Sequence, residues 1–137
     1  MIKNIVRDIE FLKIKGENLK PDEIYVVNDL IDTLRFNLNV CVGMAANMIG
    51  YSKNVIVFVD ENENIVPMIN PKIIKASDSY ETEEGCLSLD GKRPCKRHKK
   101  IKVEYLDINF KIKIKTYTNF TAEIIEHEID HLFGIII

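Results

Sequence analysis

The C-terminal stretch Phe120-Thr121-Ala122-Glu123-Ile124-Ile125-Glu126-His127-Glu128-Ile129-Asp130-His131-Leu132-Phe133-Gly134 decides how this chain must fold. Its pattern predicts a helix that is capped at Thr118 and ends at Gly134. Residues four apart on a helix share a face, so the imidazoles of His127 and His131 can bind one metal ion beside Glu128. The competing interpretation is that the two histidines are ordinary core or surface residues that bind no metal.

Two imidazoles leave a metal ion short of a third protein ligand. Only Leu132 to Ile137 follow the second histidine, and none of these residues has a side chain that binds metal. The third ligand must therefore come from upstream, which disfavours the common zinc-protease arrangements. The candidates are the three cysteines, His98 and the acidic residues, and Cys86, which directly follows Gly85, ranks narrowly first.

Length and composition limit the class of protein. A chain of 137 residues with 46% hydrophobic composition can bury a core as one domain, 1–137, so its metal can be catalytic. A net charge of -2 gives no global reason to expect DNA or a membrane as partner. We expect a cytoplasmic protein, because no apolar run approaches about 20 residues and the three cysteines suit reduced thiols.

Periodicity predicts helices at both ends and strands between them. The expected helices cover residues 2–12, residues 21–37 and the C-terminal motif, and the first few residues of the first helix are alternatively extended. The expected strands cover 55–59, 65–71 and 72–79, and a hairpin covers 101–117. This order predicts an α+β fold with mostly antiparallel β-sheets packed around a C-terminal metal-binding helix.

Three ordered segments resemble the peptide deformylase family. They are Gly43-Met44-Ala45-Ala46 followed by Ile49-Gly50, then Glu84-Gly85-Cys86-Leu87-Ser88, then His127-Glu128-Ile129-Asp130-His131. Their order and spacing match from about residue 20 to the C-terminus. The resemblance implies a metal-dependent hydrolase that removes the N-formyl group from the first methionine of nascent polypeptides.

The resemblance also implies roles for single residues. Cys86, His127 and His131 would bind the metal, which agrees with the need for an upstream ligand and leaves a fourth position for water. Glu128 would act as general base on metal-bound water, and the backbone N–H of Leu87 would stabilise the oxyanion. The donor set alone favours Zn(II), whereas the family implies Fe(II).

Two positions depart from the family pattern. Met48 replaces a glutamine that donates to the oxyanion, and Cys41 replaces a glycine. A thioether donates no hydrogen bond, and the loss of one such donor typically costs about 2.7–4 kcal/mol, a rate factor of about a hundred to a thousand. Met48 either fills the core or contacts the substrate methionine. The neighbouring amide of Asn47 should point to the opposite side of an extended chain.

These departures keep two other functions open. One is a deformylase-like metal-binding protein with weak or no activity, which the change at Met48 favours. The other is a hydrolase of another N-acyl peptide or amide. An intact Glu128 favours deformylation, because a structural metal site has no use for a carboxylate at that place.

The expected substrate contacts are Gly43, Met48, Glu84 and Arg93. The basic run Lys92 to Lys100 reads either as a solvated face or as a contact with ribosomal RNA, and His98 within it as a surface residue. Asp130 either orients an imidazole or is an exposed acid. The chain stops soon after its motif, without the C-terminal helical extension of many relatives, and residues 135–137 read as a packed strand or a self-association edge.

Overall fold

The computed structural model describes residues 1–137, and its five strands form one antiparallel sheet in sequential order. Its longer elements in chain order are α1 (Ile9–Leu12), α2 (Tyr25–Phe36), β1 (Gly43–Ala45), β2 (Val55–Val59), β3 (Ile65–Cys86), β4 (Leu89–Leu106), β5 (Ile112–Thr118) and α3 (Asn119–Leu132). Short 3₁₀ turns cover Pro21–Glu23 and Ala46–Ile49. The predicted α+β class, with an antiparallel sheet and a C-terminal helix, is confirmed.

Strand β2 forms the centre of the core. Its first four residues are apolar and fully buried, and because successive side chains point to opposite faces, both faces of the strand must be covered. The helices that contact β2 are α2 and α3. This two-sided burial explains why the strand is an unbroken apolar run instead of an alternating pattern.

Strands β3 and β4 form a hairpin much longer than the sequence indicates. The predicted strands 65–71 and 72–79 are one bulged strand, with register shifts between Ile69 and Lys72 and between Ile73 and Lys75. The acidic stretch after residue 79 continues β3, and the basic run belongs to β4. Register shifts absorb Pro71, which lacks an N–H to donate to a ladder. The predicted 101–117 hairpin corresponds to the end of β4 and to β5.

The N-terminal segment is mostly extended. Of the expected helix over residues 2–12, only Ile9–Leu12 is helical. Asp8 caps the start of this short helix by accepting a hydrogen bond from the Glu10 N–H. Before it, the Val6 N–H donates to the carbonyl of Met48 at 2.7 Å. Residues 135–137 form no strand, although Ile137 is buried. None of the helices combines the length and apolar composition that a transmembrane span needs.

The C-terminal end of α3 is fixed by several hydrogen bonds. Gly134 has a φ of 75°, its N–H donates to the His131 carbonyl, and the Ile135 N–H donates to the Asp130 carbonyl, which together make a Schellman motif. The side-chain amide of Asn47 also donates to the His131 carbonyl, at 2.9 Å. The sequence suggested that Asn47 lies in an extended chain, but the residue lies in a 3₁₀ turn. Its side-chain amide points towards α3.

We expect Gly134→Ala to destabilise the protein more than Gly91→Ala. Both glycines have φ of 75°, where an L side chain costs about 1–2 kcal/mol, but only at Gly134 would the new Cβ clash with a carbonyl, that of Lys13. The excess loss should be about 1–3 kcal/mol, as for overpacked sites. Urea unfolding of the two variants measures it, and equal losses would show that the contact with Lys13 is unimportant.

Candidate metal centre and active site

Helix α3 brings its two motif histidines together. The side chains of His127 and His131 are buried, and their Nε2 atoms lie 3.1 Å apart. Two nitrogens that each bind one ion at about 2.0–2.1 Å can have this separation. The spacing of four residues therefore has the geometric result that the sequence predicts.

Cys86 reaches the same place from the end of β3. The tight turn at Leu87 and Ser88 reverses the chain into β4, and the Ser88 N–H faces the Cys86 Sγ at 3.4 Å. The ligand atoms of Cys86, His127 and His131 all lie within 4.8 Å of one another. A thiol and two imidazoles thus converge from two distant parts of the chain.

A buried charged network supports the histidine pair. The Nδ1 of His127 lies 2.6 Å from a carboxylate oxygen of Glu84, which leaves Nε2 to face His131. Arg97 donates to the same carboxylate through Nε and Nη2, and its Nη1 donates to Asp130 at 2.7 Å. Only 2% of Arg97 is exposed, so this guanidinium is a structural part of the site.

The network shifts the pKa values of its members in different directions. Burial alone would raise the pKa of Glu84, but hydrogen bonds from His127 and Arg97 hold it well below its usual range. Burial disfavours the charged form of His127, yet its hydrogen bonds with Cys86 and Glu84 raise its pKa to about 10. Burial and the positive charge of His127 lower the pKa of His131 to about 3. Protonation of His127 therefore opposes protonation of its neighbour His131.

Glu128 lies next to this trio under tight packing. It is 5% exposed, and its Oε1 is buried without a hydrogen-bond partner. Burial raises the pKa of Glu128 to about 7, although the positive charge of His127 opposes the shift. Strand β1 allows this position because Gly43 lacks a side chain: a Cβ there would lie 2.8 Å from Ile124 Cγ2 and 3.0 Å from Glu128 Oε2.

A cavity of about 400 Å³ opens beside these groups. Its walls come from the approach to β1, the 3₁₀ turn at Met48, the end of β3 and one side of α3. Cys86, His127 and Glu128 lie on its surface together with apolar side chains. A cavity of this size can receive a small molecule or the end of a longer one.

The sequence comparisons agree with this geometry. The family model described as polypeptide deformylase matches residues 2–137.

The chain belongs to the peptide deformylase family.

Relatives that are named peptide deformylase match most or all of this chain. A peptide deformylase of Clostridium beijerinckii is 56% identical over 137 residues, which is the full length of both proteins. A peptide deformylase of Dictyoglomus turgidum is 38% identical and covers 92% of this chain and 83% of its own. This protein is therefore a peptide deformylase, a metal-dependent hydrolase, as the motifs indicate.

Solved structures of peptide deformylases share the fold. The Met-Ala-Ser-bound class I type b enzyme of Acinetobacter baumannii superimposes with a TM-score of 0.88 at 27% identity, covering 99% of this chain and 97% of that one. The enzyme of Legionella pneumophila gives a TM-score of 0.86 at 30% identity and covers 98% and 82%. The deformylase-like architecture expected from the sequence is confirmed.

The pocket of this deformylase contains several of the residues expected to act there. Gly43, Met48 and Leu87 line it together with Cys86, His127 and Glu128. The Sδ of Met48 accepts a hydrogen bond from the Ala45 N–H at 3.4 Å, and the residue is almost fully buried. Met48 thus belongs to the core and also forms part of the pocket wall, where contact with a substrate methionine stays a prediction.

Two expected substrate contacts have other partners. Glu84 lies at the pocket, but its carboxylate is engaged by His127 and Arg97. Arg93 lies outside the pocket lining and donates to the Asp90 carbonyl at 2.8 Å. The resemblance placed both residues near the site, whereas these hydrogen bonds suggest that Glu84 orients His127.

Sequence reasoning missed the importance of Arg97, which looked like one more cation in a solvated run. His98, expected at the surface, is partly exposed, and its N–H and Nδ1 both pair with the buried carboxylate of Glu126. Asp130 bonds Arg97 and no imidazole. Alternation along β4 could have revealed the inward position of Arg97 once this segment was recognised as a strand.

The donor set fits a bound metal ion. Two imidazole nitrogens and a thiol converge, the carboxylate of Glu84 fixes the orientation of His127, and Glu128 presents an unpaired buried oxygen. Such a thiolate and imidazole set suits zinc or iron, and the outer carboxylate is a usual feature of metal-bound histidines. Cys86, His127 and His131 are therefore the residues that would hold the ion.

We expect Arg97→Met to destabilise the protein by about 3–5 kcal/mol, because the change leaves the buried carboxylate of Glu84 without its main positive partner. Lys99→Met is the matched control, since Lys99 is exposed in the same basic run and should change stability by about 0.5 kcal/mol or less. Urea unfolding of both variants in the same metal state provides the comparison. A small loss for Arg97→Met would contradict its role in the network.

Proposed function

We propose that this peptide deformylase holds its catalytic metal through Cys86, His127 and His131 and uses Glu128 as general base. The observation that carries the proposal is the buried, unpaired oxygen of Glu128 at the same pocket surface as the three converging ligand atoms. A structural metal site would have no use for a carboxyl group in this position. The pKa of about 7 for Glu128 suits a group that accepts and returns a proton near neutral pH.

A divalent ion in this centre supplies Lewis-acid polarisation of the formyl carbonyl and acidifies the attacking water. Glu128 takes a proton from that water while the water oxygen bonds to the formyl carbon. The same carboxyl then gives the proton to the amine nitrogen as the carbon–nitrogen bond breaks. The products are formic acid, which passes its proton to the released amine and becomes formate, and a peptide with a free N-terminus, so atoms and charges balance.

Two groups border the place where negative charge develops on the formyl oxygen. The Leu87 N–H lies in the turn next to Cys86 and enters no backbone hydrogen bond, so it is free to donate. Met48 contributes no donor, because its thioether only accepts from Ala45. We therefore propose that deformylation proceeds here with one oxyanion donor fewer than in relatives that carry glutamine.

The substrates that we propose are formylated nascent peptides. The relative from Acinetobacter baumannii was crystallised with Met-Ala-Ser bound. A tripeptide that begins with methionine is what deformylation of such a chain would leave. A peptide in the cavity of this protein would place its first residue between the α3 face and the approach to β1.

Four further assignments belong to the same proposal. Residues 1–137 act as a single domain, and the enzyme works in the cytoplasm, where nascent chains emerge. The metal is Fe(II), as the family implies, with Zn(II) as the alternative that the same donor set suits. Contact with the ribosome would use the exposed lysines of the basic run, since Arg97 and His98 are committed to internal ion pairs.

Metal analysis of two cysteine variants tests the ligand set. After anaerobic loading with Fe(II), we expect about one ion per chain in the parent and in Cys95→Ala, and much less in Cys86→Ala, because only Cys86 lies beside the histidines. Inductively coupled plasma mass spectrometry after desalting measures the content. Full occupancy in Cys86→Ala would remove this cysteine from the ligand set.

Formate release from a formyl-methionyl peptide tests the chemistry. Glu128→Gln should retain metal and lose about a hundredfold or more in kcat, since the base is gone. Met48→Gln should gain up to about a hundredfold, because the new carbonyl can accept from Ala45 while the amide donates to the oxyanion.

Parent protein that binds metal and releases no formate, with Met48→Gln equally inactive, would argue against the enzyme. Such a result would support the alternative of a deformylase-like metal-binding protein, which the missing donor at Met48 favours.

A further inference from the structure

Much of the pocket wall is apolar. Val40, Val42, Leu87, Phe120 and Ile124 form it, and a pocket of this kind suits the side chain of methionine. Glu123 is the exception, because it places a carboxyl group on the same wall. Nothing in the deformylation step described above uses this group.

Helix geometry gives the position of Glu123 relative to the reaction. It lies four residues before His127 on α3, which corresponds to about 6 Å along the helix axis and to the same helix face. A side chain of methionine's length spans a similar distance. When the formyl group of a substrate lies at the metal ligands, a first side chain that runs along this face of α3 towards its N-terminus therefore ends close to Glu123.

The carboxyl group of Glu123 has no cation of its own. It takes part in none of the ion pairs of the structure, unlike Glu84 and Glu126. Its only hydrogen-bond donor with a measured distance is the Tyr80 hydroxyl, 3.2 Å away. Burial has the largest effect on the pKa of Glu123 and raises it. A hydrogen bond with Glu84 raises this pKa further. Beside its hydrogen bonds to Tyr80 and Glu84, this carboxyl group lacks only a cation, and a positively charged group entering the pocket would supply it.

We infer that Glu123 is a specificity-determining residue, and that the pocket accepts, besides methionine, an N-formylated residue whose side chain ends in an N–H donor such as the ammonium of lysine. The inference rests on the proposed function, since it concerns the first residue of the substrate at the same centre. The reaction is the same hydrolysis, so formate and a free N-terminus remain the products. An entirely apolar wall would reject the ammonium group, because burying an unpaired charge is costly.

Formyl-lysyl and formyl-norleucyl tripeptides with identical second and third residues provide the test. The two side chains share their aliphatic part and differ by the terminal ammonium group. For the parent enzyme loaded with Fe(II), we expect kcat/KM values within about tenfold of each other. In Glu123→Leu, the preference for norleucine over lysine should increase by about 10- to 100-fold, the loss expected for a charged hydrogen bond.

Two further variants separate specificity from a structural role. Glu123→Gln retains the shape of the side chain and should give an intermediate preference, which also covers the case in which Glu123→Leu fails to fold. Tyr80→Phe removes the hydroxyl behind Glu123 without changing the pocket wall, and it should leave the preference within about threefold of the parent value. A purely structural Glu123 would lower both rates equally and leave their ratio unchanged.

The outcomes are distinct for the two proposals. A ratio that is the same in the parent, Glu123→Gln and Glu123→Leu would overturn the inference, as would a parent enzyme that rejects the lysyl peptide more than a thousandfold. Hydrolysis of a formyl-methionyl control peptide in either case would leave the proposed deformylation intact. Failure to hydrolyse that control would remove both proposals together.

Discussion

The active centre depends on one buried carboxylate, that of Glu84. It receives His127 on one side and the guanidinium of Arg97 on the other, and all three side chains are more than nine-tenths buried. Ion pairs in such a place are costly to desolvate, so they persist only when their hydrogen bonds are satisfied. In this structure the desolvated ion pair orients a side chain of the site, because Glu84 holds the ring of His127 with Nε2 turned towards His131 and Cys86.

The second constraint is the close approach of strand and helix at Gly43. Because this residue lacks a side chain, Ile124 and Glu128 of α3 can lie against β1. The helix end is fixed independently by Gly134 and by the amide of Asn47. The position of Glu128 therefore follows from contacts at several points along α3, and the role of general base that we propose for it requires a position fixed in this way.

Local patterns were sufficient to predict the elements that local interactions define. Periodicity and spacing gave α3, the apolar strand β2 and the order of the fold, and the motif segments gave the family. The long β3–β4 hairpin was less predictable, since prolines and alternating charges resemble loops until the pairing partner is known. The same limitation hid Arg97, because only tertiary packing distinguishes a buried guanidinium from its solvated neighbours in one basic run.

The departures from the family pattern occur in one part of the site. Met48 and Cys41 both line the pocket, as does Glu123, whose carboxyl group forms no ion pair, whereas the trio of Cys86, His127 and His131 matches the family motifs. The groups that hold and orient a metal must satisfy strict geometry, so a change there abolishes the centre. The pocket wall must only accommodate a side chain and can vary without that penalty. A chain that retains the first set and alters the second retains the hydrolytic chemistry, and what it can change is the rate and the choice of the residue that carries the formyl group.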